Sequence, residues 1–541
     1  MRLLPLLLLF VIACTPRPQT VTDAALGYDQ SEALAALAGQ ENERMRFKLI
    51  ASRTTNRAAV WQTVDRQLNG FGAKQYDQLR PLILEQDIPT LQNHVANRLL
   101  TYPDLVKWYL YRIRSTETDP ARSLHTILQV NPDAVARAQE LQANRPADPH
   151  PLYGIPVLLK DNINAAGMPT TAGAELLKNH TPGNAFIVDR IEARGGLILG
   201  KVNLSEWAYY FCGGCPLGYS AVGGQTLNPY GPRVFETGGS SAGSGTAVAV
   251  NYAPVAVGTE TAGSILSPSA QNSVVGLKPT IGLLSRTGIV PISYTLDTPG
   301  PMAKSVTDAA ILLDALRGED GRDFKSVASL DGYALEPVRW DTVRLAYFRD
   351  FVQNERYAAQ IERLRTAGAT LVEVQPEPMD YDGFTRLLDG EMKRALPEYL
   401  ATYASSLPQR TVADVVEFNR QDTFRRAPYN QSIFEGIVAD EQSDAELETL
   451  QRNLKNRAVA YLKPVFDAQR VHAILSINNY SAAAVALAEY PALAVPMGYT
   501  EAGEPQALTF IGRPWTERRL LNLGVAFEGL GKQRRIPKGY R

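Results

Sequence analysis

Histidine is scarce. Five occur in 541 residues, each alone: His94, His125, His150, His180 and His472. That scatter leaves no pair at metal-ligand spacing and few bases for histidine-dependent catalysis. Cysteine is scarcer still, at Cys14, Cys212 and Cys215, which excludes a scaffold built on many disulfides. The C-x-x-C spacing of Cys212 and Cys215 fits a redox pair, half a zinc site or a local disulfide. Zinc would need two further ligands, and an oxidising compartment favours a structural disulfide or two idle thiols over a catalytic dithiol; neither a metal nor a cofactor is expected. Charge of one sign is also missing: 55 basic against 56 acidic residues give a net charge of -1 and no field that would attract nucleic acid. Beyond residue 13 no apolar run is long enough to span a bilayer.

What is present begins with "MRLLPLLLLFVIAC". Arg2 precedes an apolar run, Leu3 to Ala13, that is too short for a membrane span and reads as an export signal. "VIAC" resembles the lipobox of bacterial lipoproteins. That resemblance implies cleavage before Cys14, a lipid anchor on Cys14 as the one link to the membrane and, with Thr15 rather than Asp next, a place on the outer membrane facing the periplasm. An ordinary secretory signal in which Cys14 falls by chance is the alternative.

Residues 14–83 are polar with helical spacing in "SEALAALAGQENERMRF" and "RAAVWQTVDRQLNGF", and read as a tether followed by a helical extension. From residue 84 to 541 the chain reads as one large α/β domain, because short β-like runs such as "YGIPVLLKDNI" and "GGLILGKVNL" alternate with turns and helices. The stretch 326–467 is charged and helical, as expected of a cover, and "AILSINNY" then resumes the strand pattern.

Two Gly/Ser clusters, "GGSSAGSG" (238–245) and "GTETAGSI" (258–265), flank the apolar run "TAVAVNYAPVAV". A phosphate loop would need Gly-Lys-Ser/Thr, and Gly245 is followed by Thr246. "GSSAG" satisfies the G-x-S-x-G elbow with Ser241 as nucleophile, but the one downstream histidine is His472, on an apolar run. A lysine offers another base. Lowering an amine from about 10.4 to about 7.4, roughly 4 kcal/mol, makes it half neutral near physiological pH, and burial does this. Lys160, at the end of "PVLL", is the candidate; a strand end open to water is the other reading.

"GIPVLLKDNI", "GGSSAGSG" and "GTETAGSI", in that order, resemble the amidase signature family of Ser-Ser-Lys amide hydrolases, from about Leu84 to the C-terminus. "GTET" is most similar to the peptide amidase-like branch. The resemblance implies a mixed, twisted β-sheet core covered by helices. It also implies Ser264 as the acyl-forming nucleophile, Ser240 as a bridging serine after a cis peptide eased by Gly238 and Gly239, and Lys160 as the base. The amides of Thr261, Ala262, Gly263 and Ser264 would form the oxyanion hole, with Ser241 supporting the network. Two departures stand out. Ala262 and Leu266 replace residues that carry charge in the family pattern, and "YYFCGGCPLGYSAVGG" replaces a Ser-rich segment.

The expected reaction is therefore hydrolysis of a carboxamide to an acid and ammonia or an amine, on a small amide or short peptide. A C-terminally amidated peptide or amino-acid amide is favoured over aryl or fatty-acid amides. A non-catalytic binding lipoprotein and the glutamine-amidase subunit of a tRNA-dependent amidotransferase are the competing readings.

Overall fold

A computed structural model describes residues 30–541 apart from 56, 329–331 and 333. The signal segment, Cys14 and Thr15 lie outside the described residues. The strands are β1 (Ile127–Val130), β2 (Pro156–Lys160), β3 (Leu197–Val202), β4 (Tyr219–Ser220), β5 (Gly224–Gln225), β6 (Val255–Glu260), β7 (Val275–Lys278), β8 (Thr298–Ala303), β9 (Arg344–Phe348), β10 (Thr370–Val374), β11 (Ala473–Ile477), β12 (Ala492–Tyr499) and β13 (Pro505–Ile511). Eleven of them form one sheet in the order β1-β3-β2-β6-β8-β7-β12-β13-β11-β9-β10, while β4 and β5 pair as a separate small hairpin. The sheet is mixed: β3, β2 and β6 run parallel, as do β11, β9 and β10, and antiparallel pairs join the two sets.

Every residue of β2, β3, β6, β7, β8, β11 and β12 is buried. That is why "PVLL" and "VAVG" read as continuous apolar runs instead of alternating ones: helices cover both faces. The fold is the mixed α/β sheet covered by helices that the sequence leads one to expect.

The segment before residue 84 packs into the same interior. Helix Ala58–Leu68 buries Val60, Val64 and Leu68 against the main apolar cluster. Beside it, Arg57 bonds the carbonyl of Ile127 and Gln67 Nε2 donates to Asn131 O at 3.0 Å. These contacts cover β1, an edge strand whose open backbone would otherwise be a pairing hazard.

The stretch 326–467 differs from the expected helical cover, because β9 and β10 come from it and extend the sheet. Both strands are five residues long, and edge strand β10 leaves Thr370 and Glu373 exposed. Short length and an uncovered edge hide the strand signal among charged neighbours. The cover proper consists of helices Phe384–Tyr403, Val412–Arg420, Ser432–Ala439 and Asp444–Gln469. The first three clasp Trp207 and Phe211 in an apolar cluster of their own.

Candidate active site

Lys160 is the last residue of β2, and the ladder between β2 and β6 stops one step earlier, at Leu159 opposite Val257. Two residues further along β6, Thr259 pairs with Pro299 of β8 at a non-hydrogen-bonded position of the antiparallel ladder, so its N–H and C=O point to the β2 side, beyond the end of that ladder. Its backbone needs other partners. Ser241 supplies them: its hydroxyl donates to Thr259 O at 3.0 Å and accepts from Thr259 N at 3.2 Å. Lys160 Nζ fills the remaining space, 3.0 Å from Thr259 O, 2.8 Å from Thr259 Oγ1 and 2.7 Å from Ser240 Oγ. Asn162 Nδ2 also donates to Thr259 Oγ1, at 3.0 Å.

Lys160, Ser240 and Ser241 are all fully buried. Burial brings the Lys160 amine down to about 7, and the carboxylates of Asp297 and Glu260 oppose that shift. Of the three groups around Nζ, the Thr259 carbonyl only accepts, while the two hydroxyls can donate or accept. A neutral amine gives its two N–H groups to Thr259 and keeps its lone pair for the Ser240 proton.

The Gly239–Ser240 peptide is cis. Gly238 precedes it at φ +68, where a side chain would also lie 2.7 Å from the Pro268 Cα. The Ser241 amide donates to Ser264 O at 3.1 Å, which ties the two serine clusters together through the backbone. Ser264 itself is half-buried at the edge of this interior. Among the described residues no hydrogen bond joins the Ser240 and Ser264 hydroxyls; such bonds commonly tighten only around substrate.

The loop before helix Leu266–Gln271 is shaped by an acid. Glu260 Oε2 accepts from Ile265 N at 2.7 Å and Leu266 N at 2.9 Å, and so turns the chain back on itself. Among the described residues no hydrogen bond engages the amides of Thr261, Ala262, Gly263 and Ser264. The Thr261 hydroxyl donates to Asp297 Oδ1 at 2.5 Å, and Asp297 Oδ2 accepts from Ile292 N and Ser293 N. Burial raises the Asp297 carboxyl above its ordinary range, against these donors. Leu266 is buried in an apolar cluster that also holds Ile292 and Leu296.

Sequence reasoning placed Lys160, Ser240, Ser241 and Ser264 but missed Thr259, Asn162, Glu260 and Asp297. Three of these stand inside the quoted motifs "GTETAGSI" and "LLKDNI"; Asp297 comes from "DTPGPM", far along the chain. The elbow alternative is not assembled. Ser241 is committed to Thr259, and His472 Nδ1 accepts from the Arg344 amide at 3.1 Å. β6, which holds Thr259 against Ser241, and β11, which begins just after His472, stand five places apart in the sheet, about 24 Å at 4.8 Å per strand. Cys212 and Cys215 are joined as a disulfide. Among the described residues no set of three or more His, Cys, Asp or Glu side chains is placed to hold a metal ion. Lys201, also buried on the neighbouring strand β3, is paired with Asp161 at 3.1 Å.

The chain is similar to known amidases in sequence and in fold. A probable amidase of Arabidopsis thaliana is 32% identical over 489 residues, covering 84% of this chain and 92% of that protein. The crystal structure of an amidase family protein from Bacillus anthracis superimposes with a TM-score of 0.85 at 35% identity, covering 89% of this chain and 98% of the other. Native peptide amidase from Stenotrophomonas maltophilia superimposes with a TM-score of 0.78 at 35% identity, covering 84% and 98%. The family model described as Amidase matches residues 104–521, most of the chain and every residue of the buried lysine–serine cluster. With that match, the fold and the relatives in agreement, the chain belongs to the amidase family and is an amide hydrolase.

Proposed function

We propose that the chain hydrolyses carboxamides through an acyl-enzyme on Ser264, and that its substrates are C-terminally amidated peptides or amino-acid amides. The observation that carries the mechanism is the contact between Lys160 and Ser240 in a buried site that holds the amine near 7. Ser264 Oγ attacks the carbonyl carbon as its proton passes to Ser240 and the Ser240 proton passes to Lys160. The oxygen that gains charge meets the unengaged amides of residues 261–264. The tetrahedral intermediate collapses as the proton returns through Ser240 to the leaving nitrogen, which departs as ammonia or an amine. Water then attacks the acyl ester by the same relay, releasing the acid and restoring Ser264.

The substrate class rests on the likeness to peptide amidase, and the anchoring of the chain through a lipid on Cys14 rests on the N-terminal sequence. The test is ammonia release from an amidated dipeptide by a soluble form starting after Cys14, beside Ser264→Ala and Lys160→Ala. Release by the wild type alone is expected. A wild type that neither turns over any simple amide nor is labelled on Ser264 by a fluorophosphonate would overturn the reading. His472→Ala should retain activity, since the imidazole stands far from the relay. Mass analysis of the mature N-terminus in a bacterial host reads the anchor: diacylglycerol on Cys14 is expected, and a free thiol there would refute it.

A further inference from the structure

Trp207, Ala208 and Tyr209 form a turn of three successive non-glycine residues at φ 50, 56 and 76. Each residue in this left-handed region is disfavoured, so the turn persists only where its surroundings hold it. Its inner end touches the site. Ser205 N donates to Ser240 O at 3.1 Å, and Ala208 lines a small cavity with Asn162, Thr259, Thr261 and Asp297. Its outer end is held by the disulfide loop, where the Tyr209 hydroxyl donates to Cys215 O at 2.9 Å. That loop is itself docked on the cover, with Gly213 N donating to Ser432 Oγ at 3.1 Å and Asn430 Nδ2 to Gly213 O at 3.3 Å.

Beyond Cys215 the chain returns to the same place. Gly218 N donates to Ser205 Oγ at 2.8 Å, and Leu217 packs so closely on Gly239 that an added Cβ there would lie 3.0 Å from it. The bond between Cys212 and Cys215 thus cross-links the tip of a loop whose two ends, Ser205 and Leu217–Gly218, both brace the Gly239–Ser240 junction.

We propose that the Cys212–Cys215 disulfide is a positioning element of the active site: it holds the left-handed turn beside the relay, so that amide turnover depends on the bond. This rests on the assignment of Ser240 and Ser264 to the relay. Gly213 and Gly214 are exposed and Cys215 is half-buried, so a reductant reaches the loop. Dithiothreitol supplies two electrons and two protons, leaves Cys212 and Cys215 as thiols and becomes a cyclic disulfide itself.

The experiment measures kcat and KM on an amidated dipeptide before and after reduction, with thiols counted to prove the bond open, and again after reoxidation. Displacements at a relay of this kind cost tenfold or more, so reduction should lower kcat/KM about tenfold, reversibly. The Cys212→Ser/Cys215→Ser double variant should match the reduced wild type. Tyr209→Phe, which leaves the cysteines intact, should lose part of the activity in the same direction. Unchanged kcat and KM in fully reduced, folded protein would overturn the proposal, as would a double variant that loses activity only in proportion to its folded fraction. The two readings fail separately: turnover by Ser264→Ala removes the relay assignment, whereas an inactive Ser264→Ala with no effect of reduction removes only the role of the disulfide.

Discussion

Lys160 Nζ lies 2.7 Å from Ser240 Oγ at the end of a strand that is buried along its whole length. An amine so placed is costly to charge, and its neutral form is the one that can take a proton. With Lys160 held to about 7, kcat/KM should rise with pH through about 7 and stay high into the alkaline range. A pH–rate profile measures this, and a fall just above neutrality would contradict it.

The same shift makes a prediction about stability. The folded lysine loses its proton at about 7, the unfolded one at about 10.4, so between these values the unfolded state binds more protons and stability rises with pH. Lys160→Met removes the penalty for charging the amine below that window. Its melting temperature should therefore exceed that of the wild type by more at pH 6 than at pH 9, while activity is lost. Thermal melts at the two pH values check the sign.

Asp297 acts on Lys160 from across the site, and its charge favours the protonated amine. Asp297→Asn withdraws that charge while keeping an acceptor for the Thr261 hydroxyl. The ascending limb of kcat/KM should move to lower pH, because the charge that favours the protonated amine is gone. A limb that moves upward would assign the base to another group.

The sequence singled out Lys160, Ser240 and Ser264 because they sit in short motifs with unusual chemistry: a lysine after "PVLL" and serines amid glycines. It did not show why Lys160 stays buried. That depends on the ladder between β2 and β6 ending at Leu159, which leaves the Thr259 carbonyl and hydroxyl to receive the amine, a register relation between distant segments. Asp297 was hidden for the same reason, since a carboxylate in "DTPGPM" gains its role only when β8 is laid beside β6. The strands β9 and β10 were hidden by shortness, and the disulfide was left open because spacing alone does not distinguish bonded from idle thiols.

Gly238→Ala tests how closely the serine clusters are packed. The new Cβ would lie 2.7 and 2.8 Å from the Cα and N of Pro268, backbone atoms that cannot swing aside, at a φ of +68. Backbone strain alone costs about 1–3 kcal/mol, and the clash adds to it. The variant should melt well below the wild type and lose amidase activity even in the fraction that folds. Circular dichroism and activity on the same sample separate the two effects, and a variant with wild-type melting would refute this packing.

Ser241→Ala separates support from chemistry. In the proposed relay the hydroxyl takes no proton, yet it both donates to and accepts from the Thr259 backbone. Its loss leaves a buried amide without a partner, a cost of about 1–3 kcal/mol. The end of β6 that carries Thr259 and Glu260 then loosens, and with it the acceptors that hold the Lys160 amine. Activity should fall but persist, in contrast to Ser240→Ala and Ser264→Ala, and the fluorophosphonate should still label Ser264 at a reduced rate. Labelling kinetics beside the melting temperature read both consequences. Complete loss of labelling in folded Ser241→Ala would instead place this hydroxyl in the proton path.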